Sequence, residues 1–191
     1  MKFRFVTTDD ASAINDIYAP YIKTTLTFET TVPDTTEMMH RIQSVTQAYP
    51  WIVIEEDDKV KGYAYLSTFN PRAAYQHTAD LSIYLSDDSK GQGIGKTMCE
   101  LLFEIAKLQN IATIVSIITQ ENTGSKAFHT KLGFEHQGEL NHVGYKHNRW
   151  LNISYYVKKL SEPVLPDAFV SFSHIKEKAQ KILDSFNQNR N

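Results

Sequence analysis

Lys90-Gly91-Gln92-Gly93-Ile94-Gly95-Lys96 is the stretch of sequence on which the fold prediction depends. It lies between a β-rich run, Ala79 to Leu85, and a segment whose apolar residues recur at helical spacing. A glycine-rich turn that leads into a helix presents bare backbone N–H groups and the positive end of the helix dipole. The pattern therefore predicts a strand, a loop that binds phosphate oxygens, and a helix.

Two common nucleotide-binding motifs do not fit this loop. A Walker A loop would need glycine at position 90, where Lys90 stands. The dinucleotide fingerprint requires a different spacing of its third glycine, whereas Gly91, Gly93 and Gly95 are evenly spaced. We therefore expect a phosphate-binding loop of another kind.

The residues on either side of this unit alternate between helical and strand patterns. Thr8-Asp9-Asp10 offers cap oxygens to a first helix, and Asp34 and Glu37 have the spacing of a capping box for a second. Gly133 is expected to end a later helix. The predicted strands, with a polar connection between the last two, are Phe3 to Val6, Trp51 to Glu55, Val60 to Phe69, Ala79 to Leu85, Ala112 to Thr119, Phe134 to Gly138 and Trp150 to Leu160.

The composition is that of a compact globular protein. Of the 191 residues 41% are apolar, and 20 Lys and Arg side chains nearly balance 22 Asp and Glu side chains. A formal charge of −2 gives no basic field, so nucleic acid is not an expected partner. No apolar run is long enough to cross a membrane, and no signal-peptide core is evident. Because the single cysteine, Cys99, cannot form an internal disulfide, we expect a cytoplasmic protein.

The sequence changes character near residue 160. Residues 1–160 carry the alternating helix and strand pattern and predict one domain. Residues 161–191 predict a linker that contains Pro163 and Pro166, followed by an amphipathic helix. That helix either packs back on its own domain or forms a dimer contact, and the sequence leaves both possibilities open.

Two motifs resemble those of the GCN5-related N-acetyltransferase (GNAT) superfamily. Lys90 to Lys96 resembles the family's pyrophosphate loop, usually written Gln/Arg-x-x-Gly-x-Gly/Ala. Asn122 to Phe134 resembles its second motif, in which Asn, Ser and a helix-borne Tyr or His lie along the coenzyme. A narrower resemblance, to phosphinothricin acetyltransferases and amino-acid N-acyltransferases, covers about residues 3 to 160. It is carried by Thr25 to Glu29, Tyr49 to Trp51, Gly62 to Tyr65, Pro71 to Tyr75 and Val143 to Trp150.

The resemblance implies an α/β (α+β) GNAT fold, with a twisted, mostly antiparallel mixed sheet that is flanked by helices and splayed between its two central strands. It also implies acetyl-CoA as co-substrate, with the pantetheine arm inserted like a missing strand beside Ala79 to Leu85. No metal is expected, because the spacings of His136, His142 and His147 match no usual ligand pattern. The coenzyme-binding residues implied are Ile83, Tyr84, Leu85, Lys90, Gly91, Gln92, Gly93, Ile94, Gly95, Lys96, Thr97, Asn122, Ser125 and His129.

The catalytic residues implied are Asp80 and His147. Acetyl transfer needs a neutral amine, so a carboxylate that removes the amine's proton supplies much of the rate. The family branch places a Glu in the strand before the loop, and the matching residue here is Asp80, whose side chain is one methylene shorter. His147 is a candidate for substrate contact or acid–base help. Structural roles remain the alternatives for Asp80, His147 and His129. Lys90 stands where Gln or Arg is usual, which matters little if the backbone binds the phosphates.

The resemblance implies an N-acetyltransferase that acts on a small amino-acid-like amine by direct transfer in a ternary complex. Phosphinothricin, methionine sulfone and methionine sulfoximine are such acceptors, and detoxification is the implied purpose. The expected acceptor-binding residues are Phe28, Arg72, Ala73, Ala74 and Tyr75, with Arg72 suited to a carboxylate. The alternatives are a coenzyme-A-binding module without turnover and an acetyltransferase for protein N-termini or polyamines. A homodimer is expected, since it is common in this branch.

Overall fold

Seven strands form one mixed sheet with helices on both faces. The computed structural model describes residues 1–161 and 167–188. The strands are β1 (Lys2–Phe5), β2 (Trp51–Glu56), β3 (Lys59–Thr68), β4 (Thr78–Leu85), β5 (Thr113–Thr119), β6 (Glu135–Lys146) and β7 (Arg149–Lys159). The helices are α1 (Ala11–Ile22), α2 (Thr35–Ala48), α3 (Ile94–Leu108), α4 (Thr123–Lys131) and α5 (Phe172–Gln188). Across the sheet the strand order is β1-β2-β3-β4-β5-β7-β6.

The starts of two helices follow from local capping chemistry. The Asp34 carboxylate accepts a hydrogen bond from the backbone N–H of Glu37 (2.8 Å), which satisfies a donor in the first turn of α2. The Asn122 side chain accepts one from the backbone N–H of Ser125 (3.0 Å) at the start of α4. Gly133 follows α4 with a φ of +82°, as the sequence predicts.

The central strands β4 and β5 remain paired over only three residues. Parallel pairing joins residues 78–80 of β4 to residues 113–115 of β5 and stops there. Beyond Asp80, β4 continues to pair with β3 as far as Leu85, while β5 pairs only with β7. The edge of β4 that faces β5 is therefore open over residues 81–85, and the splay implied by the sequence is confirmed.

The prediction of a polar connection between the last two strands is wrong, because most of that segment belongs to β6. Two register shifts interrupt the pairing of β6 with β7, near Gly138 and Gly144. A tight turn at His147 and Asn148, both at positive φ, then leads into β7. Bulges insert an extra residue on one strand and so break the period-two alternation by which a strand is recognised in a sequence.

Each face of the sheet carries its own hydrophobic core. Trp51 and Val53 of β2 are buried against α1 and α2 on one face. Ile52 and Ile54 of the same strand are buried on the other face, where α3 and α5 pack. Alternate residues of one strand thus enter opposite layers, as the geometry of an extended backbone requires. Among the described residues, no helix has the length and apolar character needed to cross a bilayer.

The terminal helix α5 packs on its own chain. Ile175, Ala179 and Leu183 are buried in the core that also contains α3. The Asn187 side chain accepts a hydrogen bond from the backbone N–H of Phe3 (2.8 Å) and donates one to the Phe3 carbonyl oxygen (2.9 Å). The helix therefore covers the outer edge of β1. The domain boundary near residue 160 stays a prediction, and residues 162–166 of the predicted linker lie outside the described residues.

Replacing Asn187 with alanine is expected to lower the free energy of unfolding by about 1–3 kcal/mol, because two partly buried hydrogen bonds to the edge of β1 are lost. Urea denaturation of Asn187→Ala and the wild type measures this difference. The exposed neighbour Gln188 provides the matched control, and Gln188→Ala should change the value by no more than about 0.5 kcal/mol. Equal stability of Asn187→Ala and the wild type would contradict the role assigned to this side chain.

Candidate active site

The glycine-rich loop connects the end of β4 to the start of α3. Gly91 and Gly93 have φ values of +77° and +76°, in the left-handed region that favours glycine. A Cβ at either position would meet nothing within 4 Å, so backbone conformation rather than space requires glycine there. The first N–H groups of α3 have no partner within the helix. The loop therefore presents backbone donors at the positive end of a helix dipole, which is an arrangement that binds anions.

Gly95 serves a different purpose, which is close packing. A Cβ on Gly95 would lie 3.3 Å from Ile83 Cδ1 and 3.3 Å from Phe128 Cζ. These contacts are tighter than ordinary van der Waals packing. The missing side chain therefore lets the first turn of α3 lie directly against β4 and α4, which fixes the loop relative to the open strand edge.

A narrow cleft of about 90 Å³ follows that open edge of β4. At the end nearer the glycine loop, the Tyr21 hydroxyl donates to the Leu85 carbonyl oxygen (2.6 Å) and accepts from the Leu85 N–H (3.3 Å). Because backbone groups alternate between the two sides of a strand, those of Ile83 also face the opening. The cleft is lined by Tyr21, Leu26, Leu81, Ser82, Ile83, Tyr84, Ser116, Ile117, Ile118, Asn122, Ser125 and His129.

His129 lies in the wall of the cleft that α4 forms. Its Nδ1 is 2.8 Å from the backbone oxygen of Ser125, and a carbonyl can only accept, so Nδ1 carries the proton. Burial lowers the pKa of His129, which favours the neutral ring. Its Nε2 is buried and has no partner among the described residues. His129 therefore presents an unused hydrogen-bond acceptor.

Asp80 lies at the point where β4 and β5 separate. It is the last residue of β4 that pairs with β5. Its Oδ1 is buried, and no group in the described part of the chain bonds to it. Exclusion of the water that would stabilise the carboxylate raises the pKa of Asp80 to about 7. A carboxyl with a pKa near neutrality is suited to exchange a proton with a substrate.

A larger pocket of about 470 Å³ lies on the face of the sheet that α1 and α2 cover. Asp80 pairs directly with Ser67, which lines the pocket and lies on the same face of β3 as Tyr65. Aromatic side chains that line the pocket stack on one another, and the ring centroids of Trp51 and Tyr65 are 4.2 Å apart. The lining residues are Tyr18, Glu29, Glu37, Met38, His40, Arg41, Ser44, Val45, Trp51, Tyr63, Tyr65, Ser67 and Tyr84.

The residues predicted to bind the acceptor do not line this pocket. Arg72, Ala73, Ala74 and Tyr75 are exposed in a short turn just before β4. The Arg72 guanidinium has no hydrogen-bond or ion-pair partner among residues 1–161 and 167–188. Phe28 packs on Gly144, and its ring leaves no room for a Cβ there.

His147 lies apart from Asp80. It is exposed at the turn between β6 and β7 and lines a surface pocket with Lys23, Val32 and Lys146. Asp80 is not among the residues that line this pocket. The structure therefore brings Ile83, Tyr84, Asn122, Ser125 and His129 into one cleft, as predicted for the coenzyme, but it does not join His147 and Asp80 in one cavity.

The other histidines of this region do not converge on a common point. His136 contacts Glu139 (3.6 Å between Nε2 and Oε1), and its ring packs on Tyr156. His142 lies in a bulge of β6 at positive φ. Within the described ranges, no group of three or more His, Cys, Asp or Glu side chains is placed to hold a metal ion.

Sequence reasoning missed Tyr21 and the aromatic pocket. The segments Thr25 to Glu29, Tyr49 to Trp51 and Gly62 to Tyr65 carry the resemblance, but no role was assigned to Glu29, Trp51 or Tyr65. The available signal was the alternation of Tyr63 and Tyr65 with small residues, which predicts an aromatic face on that strand. The contact of Tyr21 with Leu85 spans 64 residues and has no local signal.

Comparison with known proteins places the chain among acetyltransferases. Residues 3–153 match the acetyltransferase (GNAT) domain family. Over 154 residues the chain is 40% identical to a phosphinothricin N-acetyltransferase of Alcaligenes faecalis, which covers 78% of this chain and 77% of that protein. It is 29% identical over 170 residues to an L-amino acid N-acyltransferase of Escherichia coli (strain K12). That alignment covers 88% of this chain and 99% of the relative.

Solved structures give the same result. A GNAT superfamily phosphinothricin acetyltransferase from Sinorhizobium meliloti, in complex with acetyl-CoA, matches with a TM-score of 0.82 and 33% identity over 87% of this chain and 92% of that chain. An N-acetyltransferase from Staphylococcus aureus Mu50 matches with a TM-score of 0.79 and 32% identity. The match covers 83% of this chain and 98% of that chain. The matched length of the GNAT domain includes the glycine loop, the cleft and the aromatic pocket.

The buried carboxyl of Asp80 should make stability depend on pH. Its pKa of about 7 in the folded protein exceeds the usual value of about 3.9, so the folded state binds this proton more tightly than the unfolded chain does. The resulting stabilisation falls as pH rises from about 4 and is lost above about 7. Asp80→Asn removes the ionisation, and its Tm relative to the wild type should therefore be higher at pH 8 than at pH 5.

Differential scanning calorimetry at the two pH values measures this shift. Asp16, which is exposed on α1, provides the control, and Asp16→Asn should show the same Tm difference from the wild type at both values. If the Tm difference for Asp80→Asn is also the same at both values, the desolvation of Asp80 is contradicted.

Proposed function

This chain belongs to the GNAT acetyltransferase family, and from that premise we propose that it transfers the acetyl group of acetyl-CoA to the amine of a small amino-acid-like acceptor. The observation that carries the proposal is the position of Asp80. Its desolvated carboxyl lies next in sequence to Leu81, which lines the cleft along β4, and is a cross-strand neighbour of Ser67, which lines the aromatic pocket. The acceptor class follows from relatives named for phosphinothricin and L-amino acids.

The cleft and the glycine loop fit acetyl-CoA, which supplies an acyl group activated as a thioester. The backbone donors of the loop, Lys90 to Thr97, would hold the pyrophosphate. In the open edge of β4 the backbone groups of Ile83 face the cleft and offer hydrogen bonds to the amide-containing pantetheine arm, and Tyr84 and Leu85 follow them along the strand. On the opposite wall, further polar contacts come from Asn122, Ser125 and Nε2 of His129, which has no partner among the residues that the structure describes.

Asp80 is the proposed general base. An α-amine with a pKa of about 8 is mostly protonated at neutral pH, and only its neutral form is nucleophilic. A carboxylate whose pKa is about 7 accepts that proton more readily than an ordinary carboxylate. The shorter side chain of Asp80, relative to the family's Glu, is compatible with a water molecule between the carboxylate and the amine.

Transfer is proposed to be direct, without an acyl-enzyme intermediate. Cys99, the single cysteine of the chain, is fully buried on α3 in the core. Burial raises the pKa of its thiol well above the usual value, so the thiolate needed for nucleophilic attack is not formed. The acetyl group therefore passes to the amine within a complex that holds both substrates.

The acceptor is proposed to lie between the turn before β4 and the aromatic pocket. The Arg72 guanidinium, which has no partner in the described part of the chain, is suited to a carboxylate, and Ala73, Ala74 and Tyr75 extend that surface. Phe28, on the loop between α1 and α2, and His147, at the β6–β7 turn, are proposed as further contacts with the acceptor. Acetylation removes the positive charge of the amine, which is the chemical basis of the proposed detoxification.

Replacement of Asp80 should separate an enzyme from a module that only binds the coenzyme. Thiol release from acetyl-CoA with methionine sulfone as acceptor is expected to fall by at least about 100-fold in Asp80→Asn, because the base is lost. Asp80→Glu restores the residue usual in the family and should retain activity within about tenfold. Binding of CoA by both variants, measured by calorimetry, is the control. Binding of acetyl-CoA by the wild type without acetylation of any amine would contradict the proposed function.

A homodimer is proposed from the apolar side chains along β6 and the start of β7. Leu140, Val143, Tyr145 and Trp150 are each at least 45% exposed, which is unusual for large apolar side chains grouped together. Among the described strands β6 is also at the edge of the sheet, so one of its sides has no neighbouring strand. A second copy of this chain would cover both features, consistent with the dimers expected for this branch.

Trp150→Lys should convert the dimer to a monomer, because it places a charge in the centre of the proposed contact. Light scattering coupled to size-exclusion chromatography measures the change in mass. Ser173→Lys, which adds the same charge to an exposed position on α5, should leave the dimer intact. A monomeric wild type, or a dimer that survives Trp150→Lys, would contradict the proposed interface.

A cytoplasmic location is proposed on the basis of cysteine usage and charge. The chain has one cysteine and therefore no internal disulfide, as is usual in reducing compartments. Its formal charge of −2 gives no reason to expect attraction to anionic membranes or nucleic acid. Cell fractionation that recovers the protein outside the soluble cytoplasmic fraction would contradict the proposal.

A further inference from the structure

The Ser116 side chain is buried in the wall of the cleft along β4. Ser116 is 2% exposed and lines the cleft, and its Oγ has no hydrogen-bond partner in the described part of the chain. A hydroxyl that is removed from water and left unbonded destabilises the folded state, whereas alanine would fill nearly the same volume without that penalty. The arrangement therefore indicates that the hydroxyl bonds to a molecule that enters the cleft.

The strand register places Ser116 at the end of the cleft that is remote from the glycine loop. Val115 is the last residue of β5 that pairs with β4, and its partner is Asp80. Ser116 is therefore the first residue of β5 beyond the point where the two strands separate. The proposed function places the pyrophosphate at the loop, which follows the other end of the open edge. The part of acetyl-CoA that lies at Ser116 is accordingly its thioester end.

Ser116 and Asp80 lie on opposite faces of the sheet. Ile114 and Ile118 of β5 are buried in the core that contains α3, and alternation along the strand places the Ser116 side chain on that same face. Leu81 of β4 is buried in that core too, so its neighbour Asp80 belongs to the other face. A thioester between the strands thus has the proposed base on one side and a hydroxyl on the other. These two sides suit the entering amine and the departing sulfur.

His129 lies on the same face as Ser116, but its free nitrogen cannot donate. Its ring packs on Phe134, which belongs to the core that contains α3. The proton on Nδ1 is used by the Ser125 carbonyl, and burial favours the neutral ring, so Nε2 only accepts. A thiolate is itself an acceptor and requires a donor. The O–H group of Ser116 supplies a donor at this end of the cleft.

We propose that the Ser116 hydroxyl donates a hydrogen bond to the sulfur of the coenzyme and stabilises the thiolate that leaves during acetyl transfer. The inference rests on the proposed function for the orientation of acetyl-CoA. As the amine nitrogen bonds to the acetyl carbon, one amine proton passes to Asp80, and the carbon–sulfur bond breaks with its electron pair on the sulfur. Ser116 keeps its own proton. Solvent then protonates the thiolate, and Asp80 releases its proton to solvent.

The ionisation of CoA bound to the protein tests this contact without any acetylation. The carbon bonded to the sulfur changes its NMR chemical shift when the thiol ionises, so a pH titration of isotope-labelled CoA in the complex measures the pKa of the bound thiol. Because a hydrogen bond to the thiolate favours the charged form, this pKa should be at least about one unit higher in Ser116→Ala than in the wild type.

Steady-state kinetics with methionine sulfone as acceptor measure the consequence for the reaction. In Ser116→Ala, kcat should fall by at least about tenfold, while KM for acetyl-CoA should stay within about twofold of the wild-type value, because the contact strengthens only as charge develops on the sulfur. The Tm of Ser116→Ala should equal or exceed that of the wild type, since the variant loses a hydroxyl that the protein itself leaves unbonded.

Thr119 provides the matched control on the same strand. Its Oγ1 is also buried without a partner in the described ranges, but Thr119 is not among the described residues that line the cleft. Thr119→Val removes this hydroxyl at nearly constant volume and should leave the pKa of the bound thiol at its wild-type value.

These measurements distinguish the inference from the proposed function. A thiol pKa that depends on Ser116, in a protein that acetylates no amine, would support the contact and overturn the proposed function. Acetylation by a wild type whose bound thiol has the same pKa as in Ser116→Ala would support the function and overturn the contact. An equal rise of the pKa in Thr119→Val, a lower Tm in Ser116→Ala, or a wild type that does not bind CoA would also overturn the inference.

Discussion

The separation of β4 from β5 after three residue pairs is the constraint on which the rest of the site depends. A strand edge inside a sheet exposes N–H and C=O groups that must find partners. The Tyr21 hydroxyl satisfies Leu85 at one end, and the open length beyond it suits an extended ligand with amide groups of its own. The glycine loop follows directly at that end, and the close approach of Gly95 to Ile83 fixes its distance from the open edge. The cleft that we propose for the coenzyme thus results from the way the strands pair.

The same separation explains the chemistry of Asp80. At the point where the strands part, Oδ1 of Asp80 is buried and meets no hydrogen-bond donor from residues 1–161 and 167–188. The pKa of the carboxyl rises to about 7 for that reason, without help from a neighbouring charge. The stacked rings of Trp51 and Tyr65 lie on the same face of the sheet as Asp80. The strand separation, the desolvation of Asp80 and its proposed role as general base therefore have one origin.

Much of the fold was predictable because its signals are local. The glycine loop, the cap at Asp34 and the alternation around β4 depend on residues close in sequence, and the family motifs gave the splayed sheet. The extent of β6 was not predictable, since its bulges near Gly138 and Gly144 break the alternation. The aromatic pocket also escaped prediction. It is assembled from six separate segments, and side chains such as Tyr63 and Trp51 resemble ordinary core residues until the packing of α2 is known.

The pH dependence of kcat/KM is the most direct test of Asp80 as the base. With methionine sulfone as acceptor, the account predicts a rise in kcat/KM with an apparent pKa of about 7, separate from the limb due to the acceptor amine, whose pKa is about 8 or higher. In Asp80→Asn, the pH profile of the residual kcat/KM should lack the rise with an apparent pKa near 7. A wild-type profile without that limb, or the same limb in Asp80→Asn, would contradict the assignment of Asp80 as the general base.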